Sequence, residues 1–529
     1  MADPNSPPAP KRNMFTRFLD GVEWLGNLLP HPVTLFAILA VGIVLASGLF
    51  GWLGLTVEDP RPADANGVAE DGMIRAVSLL NADGLRRIFE NLTTNFTSFA
   101  PLGVVLVAML GVGVAEKSGL LSAAVRGMVL SAPKHVVTVA IVFAGIVSNT
   151  ASEVGYVVLV PLAGAIFYAL GRHPLAGMAA AFAGVSGGYS ANLLIGTIDP
   201  LLAGITTEAA QLIDSDYVVI APANWYFMVA STFLITIIGS LVTIFIVEPK
   251  LGKYAPERAD PEVLDDRTME PLGKLERKGL AWAGLAVLGV LAVMALTLAP
   301  DWGVLRNPET GDRFDSPFFD GFVVWILIFF VVTGYAYGRA AGTMKTDRDV
   351  IDAMASAISA LGLYIVLVFF AAQFVAFFGW TNLGAITAVS GANFLQATGM
   401  TGPALFFLFI LMCAIINLSL GSASAQWAVT APIFVPMLML IGYSPEVIQA
   451  AYRIGDSTTN IITPMMSYFG LILAWATRYD KNLGVGTMIA MMLPYSIFFM
   501  LFWSVFFFVW TFVLGLPVGP GSPTYYPAG

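Results

Sequence analysis

The fold is limited most by two apolar stretches, residues 136–170 and 403–441, each too long for one membrane crossing and each broken by a knot of small polar residues. The knots read Ser148-Asn-Thr-Ala-Ser-Glu153 and Gly421-Ser-Ala-Ser-Ala-Gln426. A crossing takes about 20 helical residues, and each half of these stretches holds only about 12–17. Such halves predict helical hairpins that enter the membrane and turn back. Backbone at a hairpin tip is tolerated only where protein or a wet cavity covers it.

Nine other apolar runs fit one crossing each: 31–55, 96–115, 174–198, 223–247, 279–299, 317–337, 350–379, 446–477 and 486–515. The chain is 57% hydrophobic and only 12% charged, whereas a soluble protein is about one quarter charged. The expected class is an all-α integral membrane protein with nine transmembrane helices and two re-entrant helical hairpins. A net charge of −9 with 26 thinly spread Lys and Arg argues against a nucleic-acid partner. The single cysteine, Cys413, excludes an internal disulfide framework, and the three histidines (His31, His135, His173) are too far apart for an H-E-x-x-H zinc motif. Residues 1–30 are polar, proline-rich and basic, with no small-residue cleavage site after them. They are read as a cytoplasmic segment before a retained first helix.

Counting Lys and Arg tests the orientation. With the N-terminus inside, cytoplasmic segments hold 19 and external ones 6, with Arg453 inside a span. The bias supports a cytoplasmic N-terminus and an external tail, 516–529. Making either hairpin a full crossing would flip every later loop and ruin it. A shift of 271 residues also overlays the two hairpin regions: Ser148 on Ser419, Pro161 on Pro432, Gly171-x-x-Pro174 on Gly442-x-x-Pro445, Gly184 on Gly455 and Ser186 on Ser457. The halves are 31–247 and 317–515, joined by the linker 248–316 with its span 279–299. One connecting span inverts the second half. Inverted repeats with broken helices are the architecture of secondary transporters.

Ionisable groups inside spans are costly and are functional candidates by default. Here they are Glu153, Asp199, Arg453 and Asp456, with Asn149, Asn192, Asn417 and Asn460 nearby. Arg453-x-x-Asp456 puts opposite charges on one helix face. One reading is a local ion pair. The other is that Arg453 binds a substrate carboxylate while Asp456 holds the arginine or a coupling cation. Glu153 would bind a cation or proton, or only cap the tip. The oxygens of Asn149, Glu153, Asn192, Asp199, Asp456 and Asn460 suit a hard cation such as Na⁺, with H⁺ the alternative; no other cofactor is expected. Ser424-x-x-Trp427 follows the second tip, where the indole would pack or stack on an aromatic substrate. Gly184-Val-Ser186-Gly-Gly188 imitates a hydrolase elbow but lacks the strand and histidine partner that motif needs.

The stretches LGRHPLAG (170–177), AAAFAGVSGGYSANLLIGTIDPLLAG (179–204) and GSASAQWAVTAPIFVPML with GYSPEVIQAAYRIGDSTTNIITPMMSYFG (421–470) resemble the AbgT family, the p-aminobenzoyl-glutamate transporters. The likeness runs from about residue 20 to the C-terminus. It implies nine helices, two opposed hairpins and a homodimer with a bowl open to the cytoplasm. It also implies transport of p-aminobenzoyl-glutamate or export of sulfonamide antimetabolites on a Na⁺ or proton gradient. The family's implicated positions fall on Asp199, Ser424, Trp427, Pro445, Arg453, Asp456 and Pro464.

The expected protein is a multi-pass, bacterial inner-membrane, cation-coupled carrier of small aromatic carboxylates, with a periplasmic C-terminus. A dicarboxylate or other organic-anion carrier is the rival within transport. A membrane-embedded amide hydrolase and a channel are rivals from other classes. The first lacks a nucleophile–base pair or metal cluster in the spans.

Overall fold

In an apolar solvent a segment must satisfy its own backbone hydrogen bonds, and helix does so within a single stretch. The structure, a computed structural model, describes residues 30–61, 69–151, 155–255 and 271–526. Among them the first half holds α1 (Pro32–Trp52), α2 (Ala82–Thr97), α3 (Ala100–Ser118), α4 (Leu120–Leu130), α5 (Val137–Ser148), α6 (Val160–Ala169), α7 (Pro174–Phe182), α8 (Ile198–Ala210) and α9 (Trp225–Val242). After α10 (Lys274–Leu298) come α11 (Phe322–Ala341), α12 (Asp347–Ala360), α13 (Gly362–Trp380), α14 (Leu383–Ala397), α15 (Leu405–Leu420), α16 (Ala423–Met439), α17 (Pro445–Asn460), α18 (Phe469–Tyr479) and α19 (Val485–Phe508). The only sheet among the described residues is a ribbon of β1 (Thr56–Glu58) and β2 (Met73–Arg75), with Val57 opposite Ile74.

The protein is an all-α membrane protein. Among the described residues, seven helical stretches are long and apolar enough to cross a bilayer: Pro32–Trp52, Ala82–Ser118, Trp225–Leu251, Lys274–Leu298, Phe322–Ala341, Gly362–Trp380 and Val485–Val513. The expected spans 174–198 and 446–477 are not continuous. The first passes through a π-turn at Ala183–Gly187 and leaves helical geometry at Gly188. The second stops at Asn460 and resumes at Phe469. Pro464 lies in that gap, where it has no N–H to give a helix and disfavours helix in the residue before it. The expected span 350–379 is also two helices. The acidic start of α12 is capped by Thr346, which closes a reciprocal pair with Asp349. Helices α2, α4, α8 and α14 occupy segments that the apolar runs leave as connections.

Both broken stretches leave α-helical geometry at their knots. In the first, α5 ends at Ser148 and runs into a 3₁₀ turn, Asn149–Ala151; Glu153 lies outside the described residues. In the second, Gly421 ends α15 with φ of 49°, and a Cβ there would stand 3.0 Å from the Met465 backbone. Both demands select glycine. Gly184 and Gly455, equivalent by the internal shift, do one job in the two halves. A Cβ on Gly184 would strike the Val142 carbonyl, and one on Gly455 would sit 2.7 Å from Cys413 Cβ. Val142 and Cys413 are themselves 271 residues apart.

The two Gly-x-x-Pro turns sit at opposite ends of the helical stretch Trp225–Leu251. Just before it, Asn224 Nδ2 donates to the Glu446 carbonyl at 2.8 Å, beside the second turn. Near its end, Glu248 accepts from Arg172 Nε at 2.9 Å, beside the first. At 1.5 Å per residue, its 27 residues span about 40 Å. The hairpin bases therefore lie on opposite faces while both tips reach the interior. Around this core, α3 is packed against α11 and α12, and α11 against α10.

This arrangement predicts a labelling pattern. In a Cys413→Ala background, Ala169→Cys stands beside the first turn and Tyr525→Cys stands opposite Tyr443, beside the second. Membrane-impermeant thiol reagents are expected to label them from opposite sides of the membrane. Labelling of both from one side would refute the opposed hairpins.

Candidate functional site

The two hairpin tips and the two helix breaks meet around a cavity of about 300 Å³. Asn149 comes from the first tip, Gly421 to Ser424 from the second, Tyr189, Thr197 and Ile198 from the first break, and Asn460 with Met466 to Tyr468 from the second. Thus Asn149, Ser424 and Asn460, singled out by sequence, line one cavity. A larger cavity of about 700 Å³ adjoins it through the shared residues Tyr189, Thr197 and Ile198. Its far wall is α3 and α12, with Glu116 and Lys117 on its lining.

Arg453 is 3% exposed and Asp199 is 1% exposed. Arg453 Nη2 donates to Asp199 Oδ1, and Gly196 N donates to Asp199 Oδ2 at 2.7 Å. The local pairing suggested by the Arg453-x-x-Asp456 spacing is therefore not the one formed: the partner of Arg453 comes from the other half of the chain. The reason is geometric. Asp199 opens α8 directly after the break and is already held by a backbone amide, so its second oxygen faces α17. Among the described residues, Arg453 Nε and Nη1 have no hydrogen-bond partner, and neither has Asp456 Oδ1. Arg453, Asp199 and Asp456 lie behind the lining of both cavities and are not themselves lining residues.

Several buried amide oxygens are also unused among the described residues: Asn149 Oδ1, Asn417 Oδ1 and Gln426 Oε1. Asn417 ties the second break together, donating from Nδ2 to the Asp456 carbonyl at 2.8 Å and to Asn460 Oδ1 at 2.8 Å. Asn192 is committed elsewhere. Its Oδ1 accepts from Thr150 Oγ1 at 2.9 Å, joining the first break to the first tip. Pro445 is buried in the first turn of α17, more than two turns before Arg453, and Pro464 lies in the second break.

Trp427 does not line the cavity. It is fully buried, stacks on Tyr452 with ring centroids 4.2 Å apart, and donates from Nε1 to Thr206 Oγ1 at 2.8 Å. From there a chain of hydrogen bonds runs towards the second turn. Thr206 Oγ1 donates to Gln449 Oε1, Gln449 Nε2 to Asn224 Oδ1 at 2.8 Å, and Asn224 Nδ2 to the Glu446 carbonyl at 2.8 Å. Tyr217 OH then donates to the Glu446 carboxylate at 2.9 Å. Each link passes from one half of the chain to the other. Sequence reasoning missed Thr206, Asn224 and Gln449, because uncharged polar residues in apolar helices carry no distinctive spacing.

Comparison with known proteins bears on this geometry. The pattern of the AbgT putative transporter family matches residues 17–526. The p-aminobenzoyl-glutamate transport protein of Escherichia coli K12 is 36% identical over 501 residues, covering 94% of this chain and 95% of that protein. The structure of MtrF from Neisseria gonorrhoeae, assigned to a class of antimetabolite efflux pumps, is 60% identical. It superposes with a TM-score of 0.90 over 96% of this chain and all of that one. The YdaH transporter of Alcanivorax borkumensis, noted for an unusual topology, is 45% identical with a TM-score of 0.85 over 93% of this chain and all of that one.

Proposed function

The chain belongs to the AbgT family of transporters, and we propose that it is a cation-coupled secondary carrier of p-aminobenzoyl-glutamate-like compounds and sulfonamide antimetabolites. It is a transporter, not an enzyme, and acts within the bilayer on a small molecule. The observation that carries the finer reading is Arg453: buried, paired with Asp199, and with two donors unused among the described residues. A carboxylate arriving there completes the arginine's hydrogen bonds bidentately. Ser424 stands on the same cavity wall as the tip glycine. Trp427 supports the wall from behind through Tyr452, and Pro445 and Pro464 fix the start of α17 and the break after it.

The coupling ion acts beside this site. The unused oxygens of Asn149, Asn417 and Asp456 fit a hard cation such as Na⁺. Asn460 and Asn192 hold the two breaks in shape, and Asp199 and Asp456 are the carboxylates a proton would use. The carrier resides in a bacterial inner membrane as a homodimer, N-terminus cytoplasmic and C-terminal tail periplasmic, in keeping with the Lys and Arg bias.

The test is binding of p-aminobenzoyl-glutamate to purified protein across Na⁺ at fixed pH, then across pH without Na⁺. Affinity is expected to rise with one of the two ions, and linkage requires ion affinity to rise with substrate by the same factor. If H⁺ is the ion, Asp→Asn at the titrating position keeps exchange and abolishes pH-driven accumulation. Binding indifferent to both ions would remove the coupled-carrier reading. Stronger competition by succinate than by the aromatic amide would turn it towards a dicarboxylate carrier.

A further inference from the structure

Three tyrosines line the cavity between the hairpin tips: Tyr156, Tyr189 and Tyr468. Tyr156 follows the first tip, and Tyr468 closes the second break. Their rings stack face to face, 4.6 Å between centroids and 4° from parallel. Phe182 meets Tyr156 edge-on at 6.5 Å and braces it from the protein side. Tyr156 is only 5% exposed, and Tyr468 is the more exposed of the two.

The internal shift of 271 residues sets Tyr156 on Trp427. Both halves thus put a large ring shortly after the hairpin tip. In the second half that ring is sealed beneath Tyr452. In the first half it stands at the cavity, where a second ring already lies on it. A parallel stack at a wall that also carries Asn149, Ser424 and Asn460 offers an apolar face where the other groups are polar.

On the reading of the site as a carrier of aromatic carboxylates, we propose that Tyr468, backed by Tyr156, is the subsite for the substrate's aromatic ring. The ring adds to the stack on Tyr468, and the carboxylate end points to Arg453. Tyr189 stands between the two regions: it lines the cavity, and the next residue, Ser190, donates from its backbone N to Ser457 Oγ at 3.1 Å, beside Asp456 on the helix that carries Arg453. A space of about 300 Å³ is of the size that small-molecule sites occupy. The two stacking residues come from different halves, so the ring is gripped where the halves meet.

The experiment compares two ligands on purified full-length protein by calorimetry: p-aminobenzoyl-glutamate and N-acetyl-glutamate, the same amino-acid amide without the ring. Tyr468→Leu is expected to weaken the first about tenfold, the scale of an aromatic pair with its burial, and the second less than about twofold. Tyr156→Leu, which removes only the backing, is expected to weaken the first about threefold. Tyr468→Phe keeps the ring and should bind as the unmodified protein does, which separates loss of stacking from loss of fold. Equal losses for both ligands, or unchanged affinity in a Tyr468→Leu protein that melts normally, would overturn the subsite and leave the carboxylate role of Arg453 standing. An unmodified protein that binds the two ligands equally would do the same. If it binds neither, the reading of the site as one for p-aminobenzoyl-glutamate-like compounds fails and the subsite goes with it.

Discussion

Arg453→Ala is expected to abolish binding of p-aminobenzoyl-glutamate and to destabilise the protein. Removing one partner of a buried pair leaves the other charge uncompensated, at about 3–5 kcal/mol, and here Asp199 is that other charge. The structural loss and the lost carboxylate contact must be told apart. The double variant Asp199→Ala with Arg453→Ala does so. Removing both charges of a buried pair is often close to neutral for stability, so thermal melting should recover towards that of the unmodified protein while binding stays absent. Arg453→Lys is expected to rescue poorly, because an ammonium cannot serve Asp199 and a carboxylate in one plane. Binding by either alanine variant would refute the role of Arg453.

Trp427→Ala should be among the most destabilising single changes in the hairpin core. Its indole is fully buried against Tyr452 and holds Thr206. Truncating a buried aromatic to alanine costs about 3–5 kcal/mol. Trp427→Phe keeps a stacked ring and loses only the N–H donor, while Thr206 keeps Gln449, so a penalty of about 1 kcal/mol is expected. Thermal melting in detergent checks both. A Trp427→Ala protein with normal melting and lost binding would make the indole a direct substrate contact instead of a support.

What could be read from sequence follows from which forces are local. The hairpin tips were legible because small polar residues cannot continue an apolar helix unnoticed, and the breaks because glycine, proline and asparagine gather in them. The Lys and Arg bias supplies an expected orientation, because these residues are sorted by side. The helices α2, α4, α8 and α14 were not, being short and of mixed polarity. At the site, Arg453 and Asp199 each declared themselves by being charged in a span, but their pairing did not. Spacing on one helix pointed to Asp456, and a contact between residues 254 apart leaves no local trace. Trp427 showed the opposite failure. Its neighbourhood in sequence is the tip, while its ring turns away from the cavity to Tyr452. The counterpart ring at Tyr156 was hidden because tyrosine over tryptophan scores as a mismatch when identities are counted.

The chain of bonds from Trp427 through Thr206, Gln449 and Asn224 to Glu446 has a mechanical consequence. Together with the Asp199–Arg453 pair, it laces α8 and Asn224 of the first half to α16 and α17 of the second as one block. A rocking of one half against the other would have to break each of these bonds, and buried polar groups are costly to leave unpaired. A lift-like slide of the whole laced block past α3 and α12 breaks none of them. In such a cycle the separation of Thr206 from Gln449 stays constant, while Ile198 and Leu201 travel past Ala353 and Tyr364 across the larger cavity. A cargo held between the hairpin tips would then ride with the block, and the seam would be the face of α3 and α12 that lines the larger cavity.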